Sequence, residues 1–156
     1  LFACICVCLC KCVRMYGLSK LVPTQLSVTL EDAQAVIAAA SAKARAEGWL
    51  VSVCVLDAGG HLLAFERLDG APAGSVSAAL EKGRTAFLFR APTRALEDAV
   101  AGGRTALLSL PGATLIEGGL PLIVGDALVG AIGVSGARGP QDGEVALTGA
   151  GALGPG

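Results

Sequence analysis

The apolar residues of this chain repeat with two different periods, which predicts a mixture of helices and strands. From Thr29 onward, apolar side chains recur at helical spacing. They are Leu30, Ala33, Ile37, Ala40 and Ala44. Thr29 is a suitable N-cap and Gly48 a suitable stop. Residues 49–56 are then apolar on both alternating faces, which is typical of an interior strand.

The turn Asp57-Ala-Gly-Gly follows this strand and predicts a β-hairpin with a return strand at 61–67. After a loop at 68–74, the pattern predicts a second helix at 75–89 with two distinct faces. One face is apolar and carries Val76, Ala79, Leu80, Gly83 and Phe87. The other carries Ser75, Ala78, Lys82 and Thr85. Because this second face is small and polar with a single cation, we expect it to line a cavity.

The remainder of the chain predicts shorter elements. Thr93 can cap a third helix at 94–101, and residues 104–111 are ambiguous between a helical turn and a loop. Three short strands are expected at 113–117, 120–124 and 128–134, followed by a closing helix at 141–153. Tight turns between strands require antiparallel pairing. The prediction is therefore an α+β domain in which helices pack against an antiparallel sheet.

Composition narrows the class of protein. The 156 residues are 53% hydrophobic, which is ample for the core of one domain, but only 4% aromatic. With 22 glycines, the core must be built from small side chains with the backbones close together. The net charge of −1 argues against a nucleic-acid partner, because phosphate binding requires a basic surface.

The first part of the chain differs from the rest. Five of the six cysteines alternate between Cys4 and Cys12, a spacing that suits neither disulfides nor zinc sites. The apolar run at 1–10 is too short to span a membrane. We expect residues 1–28 to be a non-native or flexible leader and linker, and residues 29–153 to form a single cytoplasmic domain without a membrane span. The alternative is a genuine membrane-active or palmitoylated leader.

Few residues of this chain are candidates for catalysis or ligand binding. His61 is the only histidine, so a site that needs two is excluded. It is either a solvent-facing residue at a strand edge or an axial haem ligand or proton shuttle. Gly133-Val-Ser-Gly136 indicates either close helix–sheet contact or an anion site made by backbone amides. Cys54, within an apolar strand, should be a buried reduced thiol.

Eight short segments, taken in order, resemble the haem-binding and haem-degrading protein family. They are Asp57-Ala-Gly-Gly-His61, Arg67-Leu-Asp-Gly-Ala71, Ser75, Lys82-Gly-Arg-Thr-Ala86, Pro92-Thr93, Gly118-Gly-Leu-Pro121, Gly130-Ala-Ile-Gly-Val-Ser-Gly136 and Gln141-Asp142. This resemblance implies a profilin-like α/β/α sandwich that forms homo-oligomers and binds haem or another tetrapyrrole. It also implies a set of cofactor-binding positions: Arg67, Asp69, Ser75, Lys82, Thr85, Gly119, Pro121, Ser135 and Asp142.

The leading functional hypothesis is a small oligomeric haem-binding accessory protein. Haem would occupy an apolar slot between the second helix and the sheet, with Arg67 or Lys82 meeting its propionates and His61 binding the iron. One alternative is an enzyme acting on a small carboxylate-bearing intermediate, with Asp69 or Asp142 as the base. In that enzyme Lys82, or the backbone amides around Ser135, would polarise a carbonyl. The other alternative is a purely structural accessory subunit.

Overall fold

The computed structural model describes residues 25–154 as a four-stranded sheet between two layers of helices. The elements, in chain order, are α1 (Leu30–Glu47), β1 (Ser52–Leu56), β2 (Leu62–Arg67), α2 (Ser75–Phe89), α3 (Thr93–Ala101), a 3₁₀ helix (Thr105–Ser109), β3 (Gly119–Val124), β4 (Ala127–Ser135) and α4 (Gly139–Ala150). The prediction for the leader and most of the linker falls outside the described residues.

The strands lie in the order β2-β1-β4-β3, and every neighbouring pair is antiparallel. Helices α1 and α4 cover one face of the sheet, and α2 packs on the other face against β1, β3 and β4. The predicted α+β sandwich with an antiparallel sheet is confirmed. Within residues 25–154, no helix is both long enough and apolar enough to cross a membrane.

Helix α1 begins and ends where its sequence predicts. The backbone N–H of Asp32 donates to the Thr29 hydroxyl at 3.2 Å, and the N–H of Thr29 donates back to the Asp32 carboxylate at 3.1 Å. This reciprocal capping box satisfies two of the free amides at the helix start. At the other end, Gly48 adopts a left-handed φ of 72°, which glycine tolerates at a helix stop.

The interface between α2 and the sheet is closed by glycine. A Cβ on Gly133 of β4 would lie 2.6 Å from the backbone nitrogen of Gly83 and 2.9 Å from its Cα. The two backbones are therefore as close as the small-residue composition predicts. Because the backbones are this close, no room remains for the apolar slot that was expected between this helix and the sheet.

The small polar face of α2 is buried in this interface. Ser75, Lys82 and Thr85 are buried together with Ala79, Gly83 and Ala86, whereas Val76 and Phe87 of the predicted apolar face are only partly buried. The expectation that the polar face lines an open cavity is wrong. A helix that approaches a sheet this closely needs short residues on the contacting side, and Ala79 and Gly83 of the predicted apolar face supply them.

Residues 113–117, predicted as a strand, are irregular, so the sheet has four strands rather than five. The segment follows Pro111-Gly112, and the N–H of Thr114 donates to the Thr85 hydroxyl at 2.8 Å rather than to a neighbouring strand. The ambiguous stretch before it contains the 3₁₀ helix.

Cys54 is a free, fully buried cysteine, as predicted. Its thiol donates to the carbonyl of Ala79 at 3.3 Å, and burial raises its pKa to about 12. A raised thiol pKa means that the neutral form persists until the pH approaches that value. Since the thiolate is the reactive form, almost none of the reactive form is present at pH 8.

We therefore expect Cys54 to resist Ellman's reagent in the folded protein. The measurement needs a chain that begins at Met15, in which Cys54 is the only cysteine. In native buffer at pH 8, the thiol should react only as fast as the protein opens. In guanidinium at a concentration that unfolds the chain, one thiol per chain should react at once. Rapid labelling of the native protein would contradict the burial described above.

Candidate functional site

A buried ion pair joins the two helical layers. The ammonium of Lys82 on α2 lies 2.8 Å from Oδ2 of Asp142 in the first turn of α4, and the two side chains are only 4% and 2% exposed. The other carboxylate oxygen of Asp142 accepts the backbone N–H of Ala137 at 3.0 Å. Because α2 and α4 lie on opposite faces of the sheet, this pair passes the start of β3 and ties the layers together.

Two glycines make the ion pair sterically possible. Gly118 has a φ of 130°, and a Cβ there would lie 3.1 Å from Cδ of Lys82 and 3.0 Å from Cβ of Asp142. A Cβ on Gly119 would overlap the carbonyl group of Lys82. The N–H of Gly119 donates to the buried hydroxyl of Thr93 at 2.9 Å, which holds this loop in place. The Gly-Gly step is therefore the structural partner of the lysine.

Three serines gather at one end of the sheet. The hydroxyls of Ser52 and Ser75 are 2.7 Å apart, and Ser75 donates to the carbonyl of Pro72 at 2.6 Å, so Ser52 is the donor between them. Ser135 of β4 is the register partner of Ser52. Both hydroxyls of the hydrogen-bonded pair are engaged, and no imidazole is paired with them. This cluster fixes the start of α2 on the sheet rather than providing an activated nucleophile.

Arg67 and Asp69, neighbours in the sequence motif, do not act together. The Arg67 guanidinium donates to the carbonyl of Ala71, with Nε at 3.1 Å, and so closes the loop after β2. Asp69 is exposed and lines a separate surface depression beside Arg45 and Trp49.

Two further positions implied by the resemblance have structural partners. The hydroxyl of Thr85 donates to the carbonyl of Glu81 at 2.7 Å and accepts the N–H of Thr114. Pro121 lies in β3 opposite Ala131. Thr85 therefore holds two chain segments together, and Pro121 is part of the β3–β4 pairing.

An open cleft of about 350 Å³ lies between the start of α3, the start of β3 and α4. Its lining includes Arg94, Glu117, Gly118, Gly119, Leu120 and Leu147. Arg94 pairs with Glu117 at 3.1 Å, and the two glycines separate the cleft from the Lys82–Asp142 pair. Arg94 and Glu117 could not be recognised from the sequence, because surface charges carry no local signal of a cleft.

His61 lies at the tip of the β1–β2 hairpin and is 82% exposed. Its Nδ1 is 3.5 Å from Oδ1 of Asp57, slightly beyond hydrogen-bond distance. The same carboxylate oxygen accepts the backbone N–H groups of His61 at 2.9 Å and Gly59 at 2.8 Å. These bonds, that of His61 above all, hold the pKa of Asp57 below its usual value. An ionised carboxylate therefore faces the imidazole at neutral pH.

Beside this histidine is a shallow depression of about 120 Å³ lined by Gly59, Gly60, Arg84, Phe87 and Leu88. The Phe87 ring lies against Gly60, where a Cβ would come within 3.0 Å of it. We call these lining residues, together with His61, the hairpin surface. Leu88 is 65% exposed, so the surface is apolar as well as cationic.

Lys82, Asp142 and Gly119 lie together, but the three residues predicted to contact haem directly, His61, Arg67 and Lys82, do not converge. His61 and Arg67 flank β2 at opposite ends, and six strand residues span roughly 20 Å. Lys82 is buried and already paired with Asp142. Neither cation is available beside His61 in this fold; Arg84 of the hairpin surface is. Sequence reasoning missed Arg84 although it lies between Lys82 and Thr85.

The sequence is similar to a known protein family and to individual bacterial proteins. Residues 28–151 match the family model described as "Haem degrading protein HbpS-like". The chain is 42% identical over 112 residues to protein GlcG of Escherichia coli K12, which covers 72% of this chain and 84% of GlcG. It is 34% identical over 120 residues to an uncharacterised 15.0 kDa protein of Citrobacter freundii, covering 74% of this chain and 84% of that protein.

Solved structures are similar as well. A double mutant of Streptomyces reticuli HbpS superposes with a TM-score of 0.79 at 37% identity, covering 85% of this chain and 91% of HbpS. The structure of a PduOC:haem complex superposes with a TM-score of 0.75 at 26% identity, covering 84% of this chain and 98% of PduOC.

Proposed function

Because this chain belongs to the HbpS-like haem degrading protein family, we propose that it is a small accessory protein that binds haem and works as a homo-oligomer. The observation that carries the proposal is the hairpin surface. It combines an exposed imidazole at the hairpin tip with a depression that is lined by an aromatic ring and a guanidinium together with the neighbouring Gly59 and Gly60. The similarity to PduOC, a protein whose structure contains haem, supports haem as the ligand.

His61 would bind the iron. A histidine ligand commonly has its second ring nitrogen oriented by a carboxylate, which fixes the ring and raises its basicity. Oδ1 of Asp57 lies 3.5 Å from Nδ1, slightly beyond hydrogen-bond distance, and its lowered pKa keeps the carboxylate charged, so it favours this orientation electrostatically. Nε2 is then the nitrogen available to the iron. Bound haem would supply the iron chemistry. The protein would hold the haem and orient it.

The remaining groups of the hairpin surface fit the rest of a haem. Phe87 and Leu88 offer apolar contact to the macrocycle, and Arg84 offers a cation to a propionate. Arg84 is 50% exposed and pairs with Glu81 at 2.7 Å, so it can exchange that partner for a ligand. The depression is too small to enclose a macrocycle, so haem would lie across the surface. Its outer face would then be covered by a second copy of the chain.

We expect His61→Ala to shift the Soret and visible bands of the hemin complex, because it removes the proposed iron ligand. Arg84→Gln should leave the band positions unchanged and weaken affinity by about fivefold, as expected for a partly exposed charged contact. Hemin titration monitored by absorbance measures both effects. Arg104→Gln is the matched control for Arg84, because Arg104 is also exposed and does not line the depression.

An unchanged spectrum for His61→Ala would exclude His61 as the ligand. A spectrum identical to that of free hemin after addition to the unmodified protein would argue against haem binding altogether. The second candidate function, action on a small carboxylate-bearing molecule, would then be favoured. The cleft supports that candidate, because its volume suits a small ligand and the Arg94 guanidinium at its rim is 61% exposed.

A further inference from the structure

The two edges of the sheet are protected to different degrees. Strand β3 contains Pro121, which has no N–H to donate, and its pairing with β4 is irregular between Leu122 and Ile123. Prolines and bulges are the usual devices that prevent an edge strand from pairing with another chain. Strand β2 has no proline, and its irregularity lies at the hairpin end. Residues 64–67 form a regular segment whose outer side pairs with no described strand.

Apolar side chains flank this open edge on both faces of the sheet. On one face, a groove of about 410 Å³ runs between α1 and β2, lined by Leu30, Ile37, Ala38 and residues 63–66. On the other face, Phe65 is only partly buried, because α2 packs over β1, β3 and β4. A strand that added to β2 would therefore bury apolar surface on both sides as well as pair the backbone.

We propose that β2 pairs antiparallel with β2 of a second copy around a two-fold axis, giving a continuous eight-stranded sheet. This inference rests on the homo-oligomer part of the proposed function and names its interface. In an interface with two-fold symmetry, the same residues of both copies face one another, so each must be compatible with the residue opposite it. The charged residues Glu66 and Arg67 both lie at one end of the strand, so antiparallel pairing places them opposite the other copy's apolar residues.

The side chains around the open edge of β2 are compatible with a second copy of the chain. Arg45 of α1 lies 2.6 Å from Glu66, so the acid at the groove is already neutralised within its own chain. Ala38 presents a short exposed side chain to the groove, which leaves space for α1 of the second copy alongside. A parallel arrangement in register would instead place Glu66 beside Glu66 and Arg67 beside Arg67, which is unfavourable.

Ala38→Arg tests the interface, because it places a long cation in the groove at an exposed helical position. Ala35→Arg is the matched control, since Ala35 is also exposed on α1 but does not line the groove. Light scattering at micromolar concentration should give an even multiple of 15.5 kDa for the unmodified protein and for the control. Ala38→Arg should halve that mass while far-UV circular dichroism stays unchanged. Gln34→Arg, in the same groove, provides a second variant should the first fold poorly.

Hydrogen exchange identifies the mode of pairing. The amides of residues 64–67 that point away from β1 should be protected in the unmodified protein and exchange faster in Ala38→Arg. An unchanged mass in both groove variants would overturn the inference, as would a halved mass without faster exchange at 64–67. A monomeric unmodified protein would overturn both this interface and the proposed homo-oligomer, and hemin titration of the same sample reports separately on haem binding.

Discussion

Asp142→Asn is expected to lower the free energy of unfolding by about 3–5 kcal/mol, the usual cost of leaving one member of a buried ion pair uncompensated. Asparagine retains the shape of the side chain and can still accept the N–H of Ala137. The lost stability therefore reports the cost of leaving the charge of Lys82 unpaired at a position where its side chain is only 4% exposed. Urea unfolding at pH 7, followed by circular dichroism, measures the change.

Glu81→Gln is the matched control, because it removes one acid from an exposed pair with Arg84 on the same helix. Exposed pairs contribute about 0–1 kcal/mol, so the control should unfold close to the unmodified protein. In the double variant Lys82→Met with Asp142→Asn, much of the lost stability should return, because no unpaired charge remains and the asparagine still accepts the N–H of Ala137. A cost below about 1 kcal/mol for Asp142→Asn would mean that Lys82 finds solvent or another acceptor.

The same ion pair shows where sequence reasoning stops. Lys82 and Asp142 were both identified from the sequence, but as ligand-binding residues, and their pairing spans 60 positions. Local rules predicted α2 at 75–89 because helical period and helix termini depend on residues a few positions apart. No local rule states that Gly118 and Gly119 leave space for the lysine to pass between the layers.

Two further features of the structure also show the difference between local sequence rules and contacts distant in sequence. Residues 113–117 contain apolar residues as a short strand would, and a short apolar run alone cannot distinguish a strand from a loop. The hydroxyl of Thr85, distant in sequence, takes the amide that a strand would have used. By contrast, the separation of His61 from Arg67 was already implied by the predicted strand at 61–67, because an extended strand holds its ends far apart.

Gly133→Ala is expected to be more damaging than any surface substitution, costing about 3 kcal/mol or more, at the upper end for overpacking a core. The new Cβ would meet the carbonyl of Ala79 and lie 2.6 Å from the nitrogen of Gly83. These are backbone atoms of α2, so no side-chain rotation relieves the overlap. The helix would have to move away from the sheet, and the contact of the Cys54 thiol with Ala79 would be lost.

Gly151→Ala is the control, because Gly151 at the end of α4 has a φ of −66° and the nearest carbonyl oxygens would lie 3.5 Å from a new Cβ. An alanine there should change stability by less than about 1 kcal/mol and can even stabilise the fold, since it restricts the unfolded chain. Urea midpoints of the two variants, with soluble yield as a second measure, give the comparison. The close approach of α2 to β4 would be contradicted if Gly133→Ala unfolded within about 1 kcal/mol of Gly151→Ala. A large difference would show that the glycines of this interface are required because the two backbones touch there.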